Sequence, residues 1–382
     1  MQIISWGSSY YLLTVLAAPI EADTGWPLPW IMGALSLGFL VAGAVSPRVG
    51  DAIARHGGRP VLLAASLLFA AGLAMLGLAP SLPVFLAGWV VMGLAMGAGL
   101  YDPAFATLGR LYGASARSAI TSLTLLGGFA STVCWPLSAW MVEELGWRNT
   151  CLAYAAIQLL FCVPLILATI PRVAPAAADT ASTGATRTVS PRLSGWERRA
   201  FLLFAGNIVI TSTVAVIVSV HLIALLQAQG VSLAGAVALG TLIGPAQVGG
   251  RLLEIARGGR HHPLWSLASA LVLLAVGLAL LVQGEPLVAA ALILYSAGNG
   301  IISIARGTLP LALFGPERYA PLMGRLARPA LIAQAVAPSL GALLLVQTGP
   351  NATLVILAGM ATANLGLCGL LFAVTRASRH AA

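Results

Sequence analysis

The stretch Ile53-Ala54-Arg55-His56-Gly57-Gly58-Arg59 returns as Ile255-Ala256-Arg257-Gly258-Gly259-Arg260, 202 residues on (255 − 53) and one residue shorter. The same offset carries Tyr112-Gly113 onto Phe314-Gly315 and Pro136 onto Pro338. Just before each copy stands an arginine followed three residues later by an acid, Arg48 with Asp51 and Arg251 with Glu254. Self-similarity at one period marks a duplicated unit, and two such units fill this chain of 382 residues.

Each copy is too apolar for water. Of all residues 59% are hydrophobic and 8% charged, and the mean hydropathy is +0.94. Soluble domains carry about 25% charged residues, so the solvent for most of these side chains must be lipid. The net charge of +9 does not point to nucleic acid, because the arginines are scattered between apolar runs rather than gathered on one face. No lysine occurs. Cys134, Cys151, Cys162 and Cys368 lie inside apolar runs without a C-x-x-C pair and read as inert buried thiols.

Apolar runs long enough to span a bilayer (about 20 residues) fall at 1–20, 31–47, 61–79, 84–107, 119–142, 150–170, 200–227, 233–253, 264–282, 287–309, 321–347 and 351–375. This predicts an all-α polytopic membrane protein with twelve transmembrane helices in two pseudo-symmetric six-helix bundles, 1–170 and 200–382. Residues 171–199, rich in Ala, Thr, Ser, Pro and Arg, read as a cytoplasmic linker. The first run is short and lacks a basic anchor, so the chain is expected to begin inside helix 1. With the linker inside, nineteen arginines fall on the cytoplasmic side and only Arg148 outside, which places both termini in the cytoplasm of a bacterial inner membrane. Trp26, Trp30 and Trp147 sit where interfacial aromatics belong.

The loop after the second run carries a further signal. Gly50, Arg55, Gly57 and Arg59 occupy the places of the G-x-x-x-D-R-x-G-R-R loop of the major facilitator superfamily, which the chain resembles. Ala54 stands where that loop has Asp, and Gly58 replaces the first arginine of the closing pair; Asp51 supplies an acid nearby. Gly25-Trp26, the segment 218–230 around His221, and Arg251 are similar to the monocarboxylate-porter branch. The resemblance implies the major-facilitator fold, with helices 1, 4, 7 and 10 lining a central cavity and alternating access as the mechanism.

Polar residues on those helices are the site candidates. Tyr10 and Tyr11, Tyr101, Asn207 and Thr211 (four apart and on one face), His221, Tyr295, Asn299 and Arg306 are expected to line the cavity. The serines of helix 1 read equally as helix–helix hydrogen-bonding groups. His221 reads either as a carrier of a coupling proton or as a neutral hydrogen-bonding residue. Asp102 is the one acid placed well inside a span, where a charge costs roughly 2.5–3.5 kcal/mol and so is paired or functional. The offset carries Asp102 onto residue 304, two positions from Arg306. Asp102, Arg306, Arg251, Glu254, Asp51 and Arg55 are therefore the expected gating and coupling residues. A pair between Asp102 and Arg306 predicts that the double charge swap Asp102→Arg with Arg306→Asp transports better than either single variant. Equal inactivity of all three would dismiss the pair, leaving local partners such as Arg110.

No G-x-x-x-x-G-K-[ST] loop, H-E-x-x-H or G-x-S-x-G occurs, and His261-His262 reads as loop, so neither ATP hydrolysis, a metal nor a cofactor is expected. The expected function is a secondary active transporter, functional as a monomer, moving a small organic solute together with a coupling proton or against a counter-transported anion. Arginines near the inner ends of helices 8, 10 and 11 favour an anionic carboxylate, since guanidinium binds carboxylate bidentately. The alternative is proton-coupled efflux of an amphipathic drug or metabolite, with the tyrosines as lining.

Overall fold

A computed structural model describes residues 1–172, 193–257 and 261–380. Most of the linker lies outside these residues, as does the Gly-Gly-Arg ending of the second repeat copy. No strand occurs among the described residues. The helices are α1 (Gln2–Gly7), α2 (Leu12–Thr24), α3 (Leu28–His56), α4 (Gly58–Gly77), α5 (Leu82–Gly99), α6 (Tyr101–Tyr112), α7 (Ala116–Gly127), α8 (Ala130–Ile157), α9 (Val163–Thr169), α10 (Gly195–Ala228), α11 (Leu233–Gly240), α12 (Ile243–Ala256), α13 (Pro263–Gln283) and α14 (Val288–His380). A π-helical turn, Gln158–Cys162, joins α8 to α9.

Eight helical stretches are long and apolar enough to cross a bilayer, but two of them run to 88 and 90 residues. At 1.5 Å per residue each would extend about 130 Å, some four times the hydrocarbon thickness. Left-handed glycines break them. Gly146 (φ 77°) interrupts α8, and Ser138 and Tyr154 hydrogen-bond across it at 2.7 Å; sixteen residues of straight helix would hold them about 24 Å apart. Gly113 separates α6 from the next helix, and Gly315 and Gly349 divide α14. Twelve helical passes result among the described residues, as the hydropathy runs predict. The break points themselves repeat: Gly113 and Gly315 differ by 202, Gly146 and Gly349 by 203, Gly25 and Gly230 by 205. Only glycine enters this conformation without a steric penalty, so the duplication is visible in the turns as well as in the sequence.

Two compact units emerge. One comprises Met1–Ala119, Phe129–Arg192 and Phe314–Ala335; the other comprises Ile120–Gly128, Leu193–Leu313 and Val336–Ala382. In the first, Leu12, Leu13 and Leu16 of α2, Phe69 and Leu73 of α4, and Phe85, Trp89 and Met92 of α5 form a fully buried core. Lipid removes the hydrophobic drive between helices, so close contact of small residues must hold them. Accordingly a Cβ at Gly93 would stand 2.5 Å from Gly38 O. In the second unit, α10 starts with a capping box, Ser194 N donating to Glu197 Oε2 at 2.8 Å. Its core gathers Val214, Ile217, Leu225, Leu274, Leu278 and Leu292.

Arg148, the exception to the arginine asymmetry, has local work. Its Nη1 donates to Ala79 O at 2.7 Å and its Nε lies 3.6 Å from Asp23 Oδ2, which also accepts from Trp147 Nε1 at 2.9 Å. It ties α8 to α2 and to the loop that follows α4.

Candidate functional site

Two helices of the first unit are interrupted, and their interruptions meet. The first pass breaks at Ser8–Tyr11 between α1 and α2, where Trp6 O accepts from both Ser9 N (3.4 Å) and Tyr11 N (3.1 Å) and the helical ladder slips. The fourth pass breaks at Leu100, whose extended backbone separates α5 from α6. Gln2 Nε2 donates to Gly99 O at 2.9 Å, so the carbonyl released by one break is capped from the other broken helix. Discontinuous helices are where transporters place polar backbone for binding, because irregular backbone survives in a membrane only when protein or a cavity surrounds it.

Aromatic rings surround this junction. Trp6 lies 5.5 Å from Tyr10, 6.4 Å from Tyr11 and 4.9 Å from Tyr101, centroid to centroid. Tyr10 and Tyr11 meet edge to face at 4.9 Å, Tyr11 meets Trp135 at 5.8 Å, and Tyr101 stacks on Phe105 at 5.3 Å with 7° between planes. Tyr10, Tyr11 and Tyr101 are half-buried, and Trp135 is exposed. Trp6 Nε1 is buried and donates to nothing among the described residues. The three tyrosines expected in the cavity are thus brought together. Trp6 and Trp135 complete the set; the sequence signal for Trp6 was present, an indole one helical turn before Tyr10, but its N–H has no visible role until its neighbours are known.

Asp102 follows Tyr101 in the first turn of α6 and lines a small cleft with Ser46, Gly50, Gly97, Gly324 and Ala327. The walls are glycine backbone in direct contact. A Cβ at Gly50 would lie 2.5 Å from Ala320 O and 3.1 Å from Gly324 Cα, and one at Gly324 would collide with Ser46 O. Asp51 and Arg55, on the last turns of α3, make no ion pair among the described residues.

Most of the expected residues of the second unit are held by contacts within that unit. Asn207 and Thr211 are buried against the last pass, with Asn364 Nδ2 donating to Thr211 Oγ1 at 2.9 Å and to Asn207 O at 3.3 Å. His221 Nε2 donates to Pro338 O at 3.0 Å, and its ring fills the space left by Gly341. Tyr295 is 4% exposed and sits in the core. Asn299 and Arg306 are half-buried on α14. Arg251 is 5% exposed; its Nε donates to Ser303 Oγ at 3.1 Å and its Nη2 to Gln247 Oε1 at 3.4 Å, while Gly128 leaves room for Nη1. Glu254 accepts from Ser266 Oγ and pairs with Arg257 at 3.8 Å.

Comparison with known proteins agrees with this architecture. Solved structures that superpose on nearly the whole chain include the human organic anion transporter MFSD10 (TETRAN), at 17% identity, TM-score 0.69, covering 96% of this chain and 97% of that one. The E. coli fucose:proton symporter FucP superposes at 15% identity and TM-score 0.73, covering 97% and 96%. The proton:xylose symporter XylE superposes at 12% identity and TM-score 0.67, covering 95% and 92%. At such identities the likeness shows the fold. No curated protein sequence matches. The sequence profile of the Major Facilitator Superfamily matches residues 1–324, and the chain belongs to that superfamily: it is a multi-pass membrane transporter rather than an enzyme.

Proposed function

We propose that the protein is a secondary active transporter for a small organic anion with a flat apolar body, a carboxylate first of all. The observation that carries this reading is Trp6, whose indole N–H is buried without an acceptor among the described residues, amid a ring of aromatic faces. A buried donor without a partner costs about 1–3 kcal/mol, and a carboxylate oxygen of a bound solute would satisfy it. Aromatic faces at 5–6 Å spacing bury a flat solute body with little loss of side-chain freedom. The charge preference draws on Arg251 and Arg306, and on the resemblance to the monocarboxylate-porter branch. One of the superposing proteins is itself described as an organic anion transporter, and two others as proton symporters, which supports an anion moved with a proton as the substrate of this reading. The bacterial inner membrane and cytoplasmic termini follow from the arginine asymmetry and belong to the same proposal.

A binding panel tests it on purified protein. Aromatic and short aliphatic carboxylates should stabilise the protein against heat in a concentration-dependent way, and Arg306→Gln should weaken every such anion by about tenfold or more, the scale of a lost charged hydrogen bond. Retained binding of anions by Arg306→Gln, with neutral or cationic amphipaths binding best, would replace this reading by efflux of an amphipathic drug or metabolite, for which the same aromatic lining speaks.

A further inference from the structure

The duplication extends to a polar clasp that neither the aromatic ring nor the arginines use. In each half a carboxamide on the sixth pass grips a hydroxyl on the first: Gln158 Nε2 donates to Ser8 Oγ at 3.3 Å, and Asn364 Nδ2 donates to Thr211 Oγ1 at 2.9 Å. In each half the carbonyl oxygen of that carboxamide, Gln158 Oε1 or Asn364 Oδ1, is buried with no hydrogen-bond partner among the described residues. Each half also leaves orphaned oxygen on its first helix, Gln2 Oε1 and Ser5 Oγ in the first half and Asn207 Oδ1 in the second, and Ser5 and Asn207 differ by the repeat offset of 202. Ser5, Gln158 and Asn364 are fully buried and Asn207 is 1% exposed. Asn364 Nδ2 also donates to Asn207 O at 3.3 Å, which fixes the amide's orientation with its nitrogen toward the helix.

The halves differ in one respect. The second-half helix α10 is continuous across Asn207 and Thr211. The first-half helix breaks at the clasp, and the carbonyls of Gly7 and Ser8 accept no backbone hydrogen bond from the described residues. Opposite, Gln158 opens the π-helical turn, a local distortion that recurs at functional sites. Among the described residues the first half therefore adds main-chain carbonyls without a backbone partner to the orphaned side-chain oxygens Ser5 Oγ and Gln158 Oε1, with Gln158 held against the broken helix through Ser8. We infer that the first unit holds a monovalent-cation site of sodium type, between the interrupted first helix and the π-helical turn at Gln158. Neutral carbonyl and hydroxyl oxygens suit a hard monovalent ion, whereas calcium or magnesium draws carboxylates. Unwound carbonyls coordinate sodium in other transporter folds. None of the four groups titrates near neutral pH, so this clasp does not hold a proton. Occupancy would lock the break that carries Trp6, Tyr10 and Tyr11, which rests on the proposed solute site only for its consequence and not for its existence.

The test needs no solute. Purified full-length protein is unfolded by heat in sodium chloride and in choline chloride at equal ionic strength, and radioactive sodium binding is measured by equilibrium dialysis. A saturable rise of Tm with sodium alone is expected. Gln158→Leu should remove that rise and weaken sodium binding by about tenfold or more, while Asn364→Leu, in the second-half clasp, keeps it. Should Gln158→Leu not fold, Ser5→Ala takes its place with the same expected loss. Equal Tm in sodium and choline, the result if water alone bridges these oxygens, overturns the inference. So does a sodium response that survives the substitution. Failure of the carboxylate panel leaves either outcome readable.

Discussion

Replacing Gly50 by leucine is expected to abolish solute turnover while leaving the protein folded. The helix bearing Gly50 meets the segment around Gly324 with no side chain between them: a Cβ at residue 50 would be 2.5 Å from Ala320 O and 3.1 Å from Gly324 Cα. Backbone cannot yield as a flexible side chain would, so the two segments must move apart. Overpacking of this kind costs typically 1–3 kcal/mol, and here the protein can avoid it by populating the arrangement in which these segments are separated. Alternating access needs both arrangements at comparable free energy. A bias of about 3 kcal/mol leaves under roughly one molecule in a hundred in the closed form. The readout is a bifunctional maleimide bridging Ser46→Cys and Ala327→Cys, which line the same cleft. Cross-linking should be efficient in the parent and fall at least about tenfold with Gly50→Leu. Undiminished cross-linking would show that this contact does not open and close.

Trp6→Ala is the second large effect, and it acts on binding. Trp6 touches Tyr10, Tyr11 and Tyr101, so its removal deletes a wall of the aromatic ring together with the orphaned N–H. Buried tryptophan anchors cost at least about 2 kcal/mol when truncated, some thirtyfold in affinity. Trp6→Phe separates the two contributions, since it keeps a ring face and loses the donor. Carboxylates should lose affinity in both variants, and neutral aromatic compounds in Trp6→Ala alone. Isothermal titration of the best carboxylate decides. Unchanged affinity in Trp6→Ala would move the solute site away from this junction.

The arginine pattern and the hydropathy runs made the membrane class and the twelve passes legible because lipid imposes them residue by residue: a span must be apolar and about 20 residues long. The repeat was legible because glycines at turns cannot be exchanged without strain, and Gly113 with Gly315 kept both offset and conformation. Tyr10, Tyr11 and Tyr101 could be singled out as polar-tipped rings in apolar runs. Their convergence with Trp6 could not, since it depends on breaks at Ser8–Tyr11 and Leu100 that no proline announces at the broken residue itself. Asn207, Thr211 and His221 looked alike as polar groups on one helix. The tertiary structure tells them apart by their partners, turning the first two to Asn364 and the third to Pro338 O. What the sequence determined by itself is the solvent, the number of passes and their duplication, each a sum of local free energies along the chain. What only the tertiary structure decided is which polar atoms find partners, because a hydrogen bond between Gln158 and Ser8 joins residues 150 apart, and the oxygens left over are defined by where every other helix lies.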